Sequence, residues 1–408
     1  MTYKDHYDLI VIGSGPGGRR AAIQAAKFGK SVLVVERGKR VGGVSVHTGT
    51  IPSKTLRETS LNLSGWRERE FYGRSYRVKQ NITADDLKKR LHMTLDHEVE
   101  VLEHQFARNS VQTLHGMACF QDPYTLKIIL GEDEELIVSS DKFIIATGSK
   151  PYRPEFIPFD GVSIFDSDEI LNMKRAPKSI AVIGGGVIGV EYATIFSALD
   201  IPVTLIESRE TILDFVDQEI IATLLHELRD RGVVLRLGTA IEEITRVKNG
   251  RCKIALKSGR LIRSDMVLFA AGRYGATGEL GLEDVGIVPD DRGRLSVDDK
   301  TFQTDVAHIY AVGDIIGFPS LASTSMEQGR IAACHAFNQL GYAPPEFFPY
   351  GIYSVPEIST VGMTEEEAKA AGIPYEVGIA RFRETSRGHI MGLDSGMMKM
   401  LVSLETRK

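Results

Sequence analysis

An internal repeat constrains this 408-residue chain more than any other feature: shifted by 171 positions, residues 7–18 align with residues 178–189. The first copy reads Tyr7-Asp8-Leu9-Ile10-Val11-Ile12-Gly13-Ser14-Gly15-Pro16-Gly17-Gly18, and the second Lys178-Ser179-Ile180-Ala181-Val182-Ile183-Gly184-Gly185-Gly186-Val187-Ile188-Gly189. Each predicts an apolar strand, a Gly-x-Gly-x-x-Gly turn, a small-residue helix over 19–28 or 190–199, and a second apolar strand ending in Glu36 or Glu207. Continuous apolar strands of this kind belong to a parallel sheet covered on both faces. The fold class that follows is α/β, with two Rossmann-like dinucleotide-binding domains.

A lone glycine motif is weak, but here each one follows a strand, opens a helix and precedes an acid by 18 residues. Gly13 and Gly184 permit the tight turn, Gly15 and Gly186 let backbone approach a pyrophosphate, and Gly18 and Gly189 allow helix to pack closely on strand. The helix amino terminus then presents free N–H groups and a partial positive charge to the phosphates. Glu36 and Glu207 can each accept both hydroxyls of a ribose. Two such sites imply two dinucleotides, whose natural chemistry is hydride exchange between a flavin and a nicotinamide. At the second site Glu207 suits the free diol of NAD, while Arg209 can swing over the ribose to neutralise the extra phosphate of NADP.

Between the repeats, Leu87, Leu91, Leu95, Val99, Leu102 and Phe106 predict a helix over 84–109 with one buried stripe. Strands are expected over 125–130, 135–138 and 142–146, the last running into Ala146-Thr147-Gly148, and over 266–270 into Ala271-Gly272-Arg273. A further strand leads to Gly313-Asp314, where an aspartate on a loop can accept a hydrogen bond from a flavin ribityl chain. Proline-rich 151–158 and Pro344-Pro345 read as linkers. The segments are 1–155 and 285–345 for a first dinucleotide domain, 156–284 for a second, and 346–408 for a closing segment after the Pro344-Pro345 linker.

Composition excludes several classes. With 49 basic and 54 acidic residues the net charge is −5, which argues against nucleic acid as a partner. No stretch is apolar enough for a membrane span, and the amino terminus lacks the pattern of an export signal. Cys119, Cys252 and Cys334 have neither zinc nor Cys-x-x-Cys spacing, and none of the ten histidines has ligand spacing, so no metal is expected. A reducing, cytoplasmic setting follows.

On these motifs the chain resembles the pyridine nucleotide disulfide oxidoreductases, which include glutathione reductase and dihydrolipoamide dehydrogenase. The resemblance implies that the first repeat binds FAD, through Gly13, Gly15, Gly18, Glu36, Gly42, Gly43 and Thr50. Thr147, Gly148, Gly313, Asp314 and Ala322 complete that set. It implies that Gly184, Gly186, Gly189, Glu207, Arg209 and Gly272 hold NAD or NADP. Lys54 and Glu191 match an ion pair beside the flavin ring, where a cation can stabilise the anionic reduced flavin. Buried among Ile188, Val190 and Tyr192, an unpaired Glu191 would be costly.

One departure is decisive. Where the dithiol enzymes carry two cysteines with four residues between them, this chain has Ser45 and Thr50, in the run Gly42-Gly43-Val44-Ser45-Val46-His47-Thr48-Gly49-Thr50-Ile51-Pro52-Ser53-Lys54. A hydroxyl cannot replace an attacking thiolate, so disulfide reduction at this site is excluded, as is a sulfenic acid. Hydride on the flavin can leave only through the nicotinamide side or to a diffusing oxidant. The runs at 49–54, 166–168, 189–193, 317–322 and 351–358 resemble the soluble, Si-specific NAD(P) transhydrogenase branch of the family. The expected reaction is ping-pong transfer from NADPH through FAD to NAD. The alternatives are a diaphorase or oxidase using quinone or oxygen, and a non-catalytic flavoprotein sensor. His47 reads as a packing or flavin-adjacent residue. The resemblance further implies that residues 346–408 are a truncated α+β interface domain, which makes a homodimer where it is complete. Residues 346–408 hold no His-Pro-Thr motif and end in a strand-like run, predicting exposed strand edges and an apolar face.

Overall fold

The computed structural model describes residues 3–132, 134–247, 250–341 and 347–408. Pro344-Pro345 and Glu346, where the interface segment was placed to begin, lie outside the described residues. Two compact units emerge: Met1–Pro52, His92–Tyr152 and Arg273–Glu346 form the first, and Ser53–Leu91, Arg153–Gly272 and Phe347–Lys408 the second.

The first repeat supplies β1 (His6–Ile12), α1 (Pro16–Lys27) and β2 (Val32–Glu36), followed by α2 (Gly43–His47), α3 (Thr50–Ser64), α4 (Arg69–Tyr72) and α5 (Ala84–Arg108). Strands β3 (Gln112–His115), β4 (Met117–Asp122), β5 (Thr125–Ile129), β6 (Glu135–Ile145) and β7 (Ser149–Pro151) come next. Around the second repeat lie β8 (Ile164–Asp166), β9 (Ile180–Ile183), α6 (Val187–Ala198), β10 (Val203–Ile206), α7 (Gln218–Asp230) and β11 (Val234–Arg236). A meander of β12 (Ile241–Arg246), β13 (Cys252–Leu256) and β14 (Leu261–Ser264) precedes β15 (Met266–Phe269). The first unit resumes with β16 (Arg273–Gly275), β17 (Ile309–Ala311) and α8 (Ala322–Ala336). Last are β18 (Tyr350–Ile352), β19 (Ile358–Thr360), α9 (Glu365–Ala370), β20 (Tyr375–Arg381), α10 (Ser386–Met391) and β21 (Met397–Ser403).

In the first unit the sheet order is β3-β2-β1-β6-β5-β4, with β17 also paired to β6. Sequence had split residues 135–146 into two strands, whereas β6 is continuous. Its first half pairs antiparallel with β5 and its second half parallel with β1 and β17. The polar Ser139-Ser140-Asp141 that suggested a break sits at this change of partner, where the buried Ser140 hydroxyl donates to the carbonyls of Tyr7 and Lys142. Pro151, read as linker, instead ends β7, which pairs with β16. Both repeat helices begin earlier than expected, because Pro16 and Val187 already lie in the first turn.

The second unit holds the parallel sheet β11-β10-β9-β15-β8 and three smaller sheets. Helices α3 and α6 run together within it: Lys54 meets Glu191, and seven residues further along each helix Leu61 and Ala198 share an apolar cluster with Val355. In β20 and β21, Val377, Ile379, Met398 and Met400 are exposed.

The two glycine turns share one geometry. Gly13 and Gly184 have φ of +104° and +113°, and a Cβ on either would lie 2.4 Å from the Ala146 or Ala270 carbonyl oxygen. A Cβ on Gly18 or Gly189 would lie 2.0 or 1.9 Å from the carbonyl oxygen of Gly13 or Gly184. The third glycine therefore lets the helix close on the turn and on the strand beside it, where a Cβ on Gly18 would also stand 3.0 Å from the Ala146 side chain and one on Gly189 3.5 Å from that of Val182. Nothing lies within 4 Å of a Cβ built on Gly186. Gly189→Ala should accordingly cost roughly 1–3 kcal/mol or more in denaturant unfolding, while Gly186→Ala stays within about 0.5 kcal/mol of wild type.

Candidate functional site

In the first unit β1, β6 and β17 end side by side, with Ile145 paired to both Ile12 and Ala311. Gly13, the Ala146-Thr147-Gly148 turn and Gly313-Asp314 thus converge at the carboxyl edge of the sheet, where open α/β sheets take ligands. Glu36, at the end of β2, is buried and accepts from the Ser14 N–H at 3.0 Å, the Ser14 hydroxyl and the Gly38 N–H at 2.7 Å. The Ser14 oxygen in turn accepts from the Gly42 N–H at 2.8 Å. This chain of bonds lays the Gly42-Gly43 loop against the turn, so that a Cβ on Gly43 would stand 2.9 Å from the Gly15 Cα.

The other face of the turn is open, since a Cβ on Gly15 would meet nothing within 4 Å. Nearby in the chain, the hydroxyls of Thr147 and Thr48 are buried with no hydrogen-bond partner among the described residues. Asp314 accepts from the Ser149 hydroxyl at 3.0 Å, and the Gly313 N–H donates to the Gln328 side chain at 2.8 Å. An open backbone face at a helix amino terminus, with buried hydroxyls in want of a partner, fits a flavin dinucleotide. Gly148 has a φ of +68°, Thr50 opens α3 in an exposed position, and Ala322 opens α8. Ser45 lies in α2, and His47 is hydrogen-bonded through Nε2 to the Val41 carbonyl at 2.9 Å.

The second unit repeats the plan. Glu207 is buried at the end of β10 and accepts from the Gly185 N–H, the counterpart of Ser14. It also accepts from the Ser208 hydroxyl at 3.0 Å and the Arg209 N–H at 2.9 Å. Burial would raise this carboxyl, but the bonds from Arg209 and Gly185 outweigh it and hold the pKa at about 2. Arg209 is engaged by two carboxylates: Nε and Nη2 reach Glu207 at 3.2 and 3.1 Å, and Nη1 reaches Asp214 at 2.5 Å. Gly186 has an open Cβ face like Gly15, and Gly272, after β15, has a φ of +125° and open space around it.

Lys54 and Glu191 meet as an ion pair, with Nζ 2.8 and 2.7 Å from the two carboxylate oxygens. Side-chain exposure is 26% for Lys54 and 5% for Glu191, so the carboxylate is buried while the ammonium keeps a path to solvent. Tyr353, inside the 351–358 run, completes the arrangement. Its N–H donates to Glu191 Oε1 at 2.9 Å, and its ring centroid lies 4.8 Å from Lys54 Nζ. Ser14, Asp214 and Tyr353 are the residues that sequence reasoning missed. Ser14 carried a signal, lying inside the glycine motif with a hydroxyl; Tyr353 lay in the 351–358 run with no sign of its partners, and Asp214 carried none, because loop geometry and a distant segment place them.

A family model described as pyridine nucleotide-disulphide oxidoreductase matches residues 7–329, and one described as the dimerisation domain of that family matches 348–408. The chain is 51% identical over 408 residues to the soluble pyridine nucleotide transhydrogenase of Mycobacterium bovis (strain BCG / Pasteur 1173P2), covering 98% of this chain and 86% of that protein. It is 42% identical over 405 residues to the protein of the same name from Colwellia psychrerythraea, with 98% and 86% covered. Among solved structures, the HOCl-induced flavoprotein disulfide reductase RclA from Escherichia coli, in a Cu(II) complex, is similar with a TM-score of 0.88 and 26% identity, covering 99% of this chain and 88% of that one. LpdA from Mycobacterium tuberculosis is similar with a TM-score of 0.89 and 25% identity, covering 98% and 87%.

Removing the Lys54 cation strands a buried carboxylate. Lys54→Met should cost about 2–4 kcal/mol in denaturant unfolding, and adding Glu191→Gln to that variant should recover most of the loss. A second substitution that adds its own full cost would show that the two side chains are not coupled.

Proposed function

The chain belongs to the pyridine nucleotide-disulphide oxidoreductase family, and we infer that it is a flavoprotein passing hydride from NADPH through FAD to NAD, a pyridine nucleotide transhydrogenase. The observation that carries this reading is a pair of equivalent glycine turns, each braced by a buried glutamate, in a chain with Ser45 and Thr50 where the family's dithiol stands. FAD, when bound, supplies the acceptor and donor of hydride that the side chains lack.

The chain's own residues have separable tasks in this reading. Gly13, Gly15, Gly18, Glu36, Gly42, Gly43 and Thr50 hold the flavin nucleotide, with Thr147, Gly148, Gly313, Asp314 and Ala322. Gly184, Gly186, Gly189, Glu207, Arg209 and Gly272 hold the nicotinamide nucleotide. The open faces at Gly15 and Gly186 admit diphosphates to the amino termini of α1 and α6. Lys54, oriented by Glu191, supplies a fixed cation for the charge that hydride transfer develops, a placement role in which it gives up no proton. With no thiol at position 45 or 50 to receive electrons, donor and acceptor nucleotides use the second site in turn, which is ping-pong exchange.

We assign transfer to the Si side of the nicotinamide. Residues 1–155 with 285–345 form the FAD domain, 156–284 the NAD(P) domain and 346–408 the interface domain. Names of the relatives favour nucleotide exchange over a quinone- or oxygen-directed diaphorase and over a non-catalytic sensor. The match to a dimerisation domain supports a homodimer. Among the described residues no helix is long and apolar enough to cross a membrane, and Cys119, Cys252 and Cys334 are free thiols, which suits the cytoplasm.

Anaerobic titration is the test. Purified protein should be yellow, NADPH should bleach it, and NAD should restore the colour; a bleached flavin that NAD leaves unchanged while a quinone reoxidises it would replace the exchange reading with the diaphorase one.

A further inference from the structure

All three guanidinium nitrogens of Arg209 are committed to carboxylates: Nε and Nη2 to Glu207 at 3.2 and 3.1 Å, and Nη1 to Asp214 at 2.5 Å. The two carboxylates are not equivalent. Glu207 has 6% of its side chain exposed and also holds the Gly185 N–H, so it cannot leave without undoing the glycine turn. Asp214 is 51% exposed and reaches Arg209 from the loop after β10. That loop is folded back on the turn by its own backbone. Leu213 is fully buried, adopts a φ of +48°, and donates its N–H to the Gly185 carbonyl at 2.9 Å. A left-handed leucine persists only where packing imposes it, so the position of Asp214 is built in rather than incidental.

One guanidinium between two carboxylates leaves a local charge of −1. A ribose with free hydroxyls meets no penalty there. A 2′-phosphate brings about two more negative charges and needs the very donors that Asp214 occupies. We propose that Asp214 sets the balance between NAD and NADP by restraining Arg209 against a ribose 2′-phosphate. The proposal rests on the reading of the second glycine turn as the nicotinamide-nucleotide site, and it gives a specificity role to a residue outside that motif. Asp214 thereby keeps one site usable by both nucleotides, since an unrestrained Arg209 would favour the phosphorylated one.

Calorimetric titration of the FAD-loaded protein with adenosine 2′,5′-bisphosphate and with 5′-AMP separates the phosphate from the rest of the nucleotide. In Asp214→Asn, bisphosphate affinity should rise roughly fivefold to tenfold while 5′-AMP affinity changes by less than about twofold. Asp214→Ser, which removes the carboxylate without leaving an amide, should behave the same way. The gain should shrink as salt is raised, because a half-exposed charge is screened. An unchanged bisphosphate affinity, or an equal change for both ligands, overturns the proposal while leaving the site assignment intact. Failure of 5′-AMP to compete with NAD on the wild-type protein overturns the site assignment and the proposal together.

Discussion

A buried glutamate at the end of the second strand of each repeat holds the N–H that follows the first glycine, and the binding geometry depends on that bond. Glu36 takes the N–H of Ser14 and Glu207 that of Gly185. Each carboxylate thereby ties one strand end to the neighbouring strand's turn, and fixes which way the free N–H groups of α1 or α6 face. A buried carboxylate without such donors would carry a large desolvation cost, so turn and acid stabilise one another. The third glycine completes the lock, since any side chain at 18 or 189 would run into the carbonyl of the first.

Around that shared frame the two units differ in what they attach to it. In the first, Ser14 accepts from Gly42, and β17 brings Gly313-Asp314 beside the Ala146-Thr147-Gly148 turn, where the Thr147 hydroxyl has no hydrogen-bond partner among the described residues. The second attaches charge instead, through Arg209 and Asp214. It also carries the Lys54–Glu191 pair on α3 and α6, capped by Tyr353. The contrast suits a cofactor that stays, gripped by backbone and hydroxyl groups, and nucleotides that come and go past paired ions. Loss of the dithiol then leaves the visiting nucleotides as the route for electrons in both directions.

Much of this was legible in the residues. The 171-residue offset, the glycine spacings and the terminal acids are local patterns, and β1, α1, β2 and their counterparts β9, α6, β10 follow from them. Strand β6 was misread as two because polarity at Ser139-Ser140-Asp141 resembles a turn, when in fact a buried hydroxyl satisfies neighbouring carbonyls there. At Arg209 the charge was visible, but its carboxylate partners Glu207 and Asp214 were not.

What the sequence by itself determined is chemistry that belongs to single side chains and short spacings: two glycine turns, each with a carboxylate at the end of the next strand, and hydroxyls that cannot do the work of thiols. Only the tertiary structure decided which further groups join those charges. Glu191 and Tyr353 are 162 residues apart and share a hydrogen bond, while Asp214 reaches Arg209 because a buried Leu213 holds a left-handed backbone. Periodicity and spacing report on neighbours along the chain, whereas the strength of an ion pair depends on distance and burial, which exist only once the chain has folded.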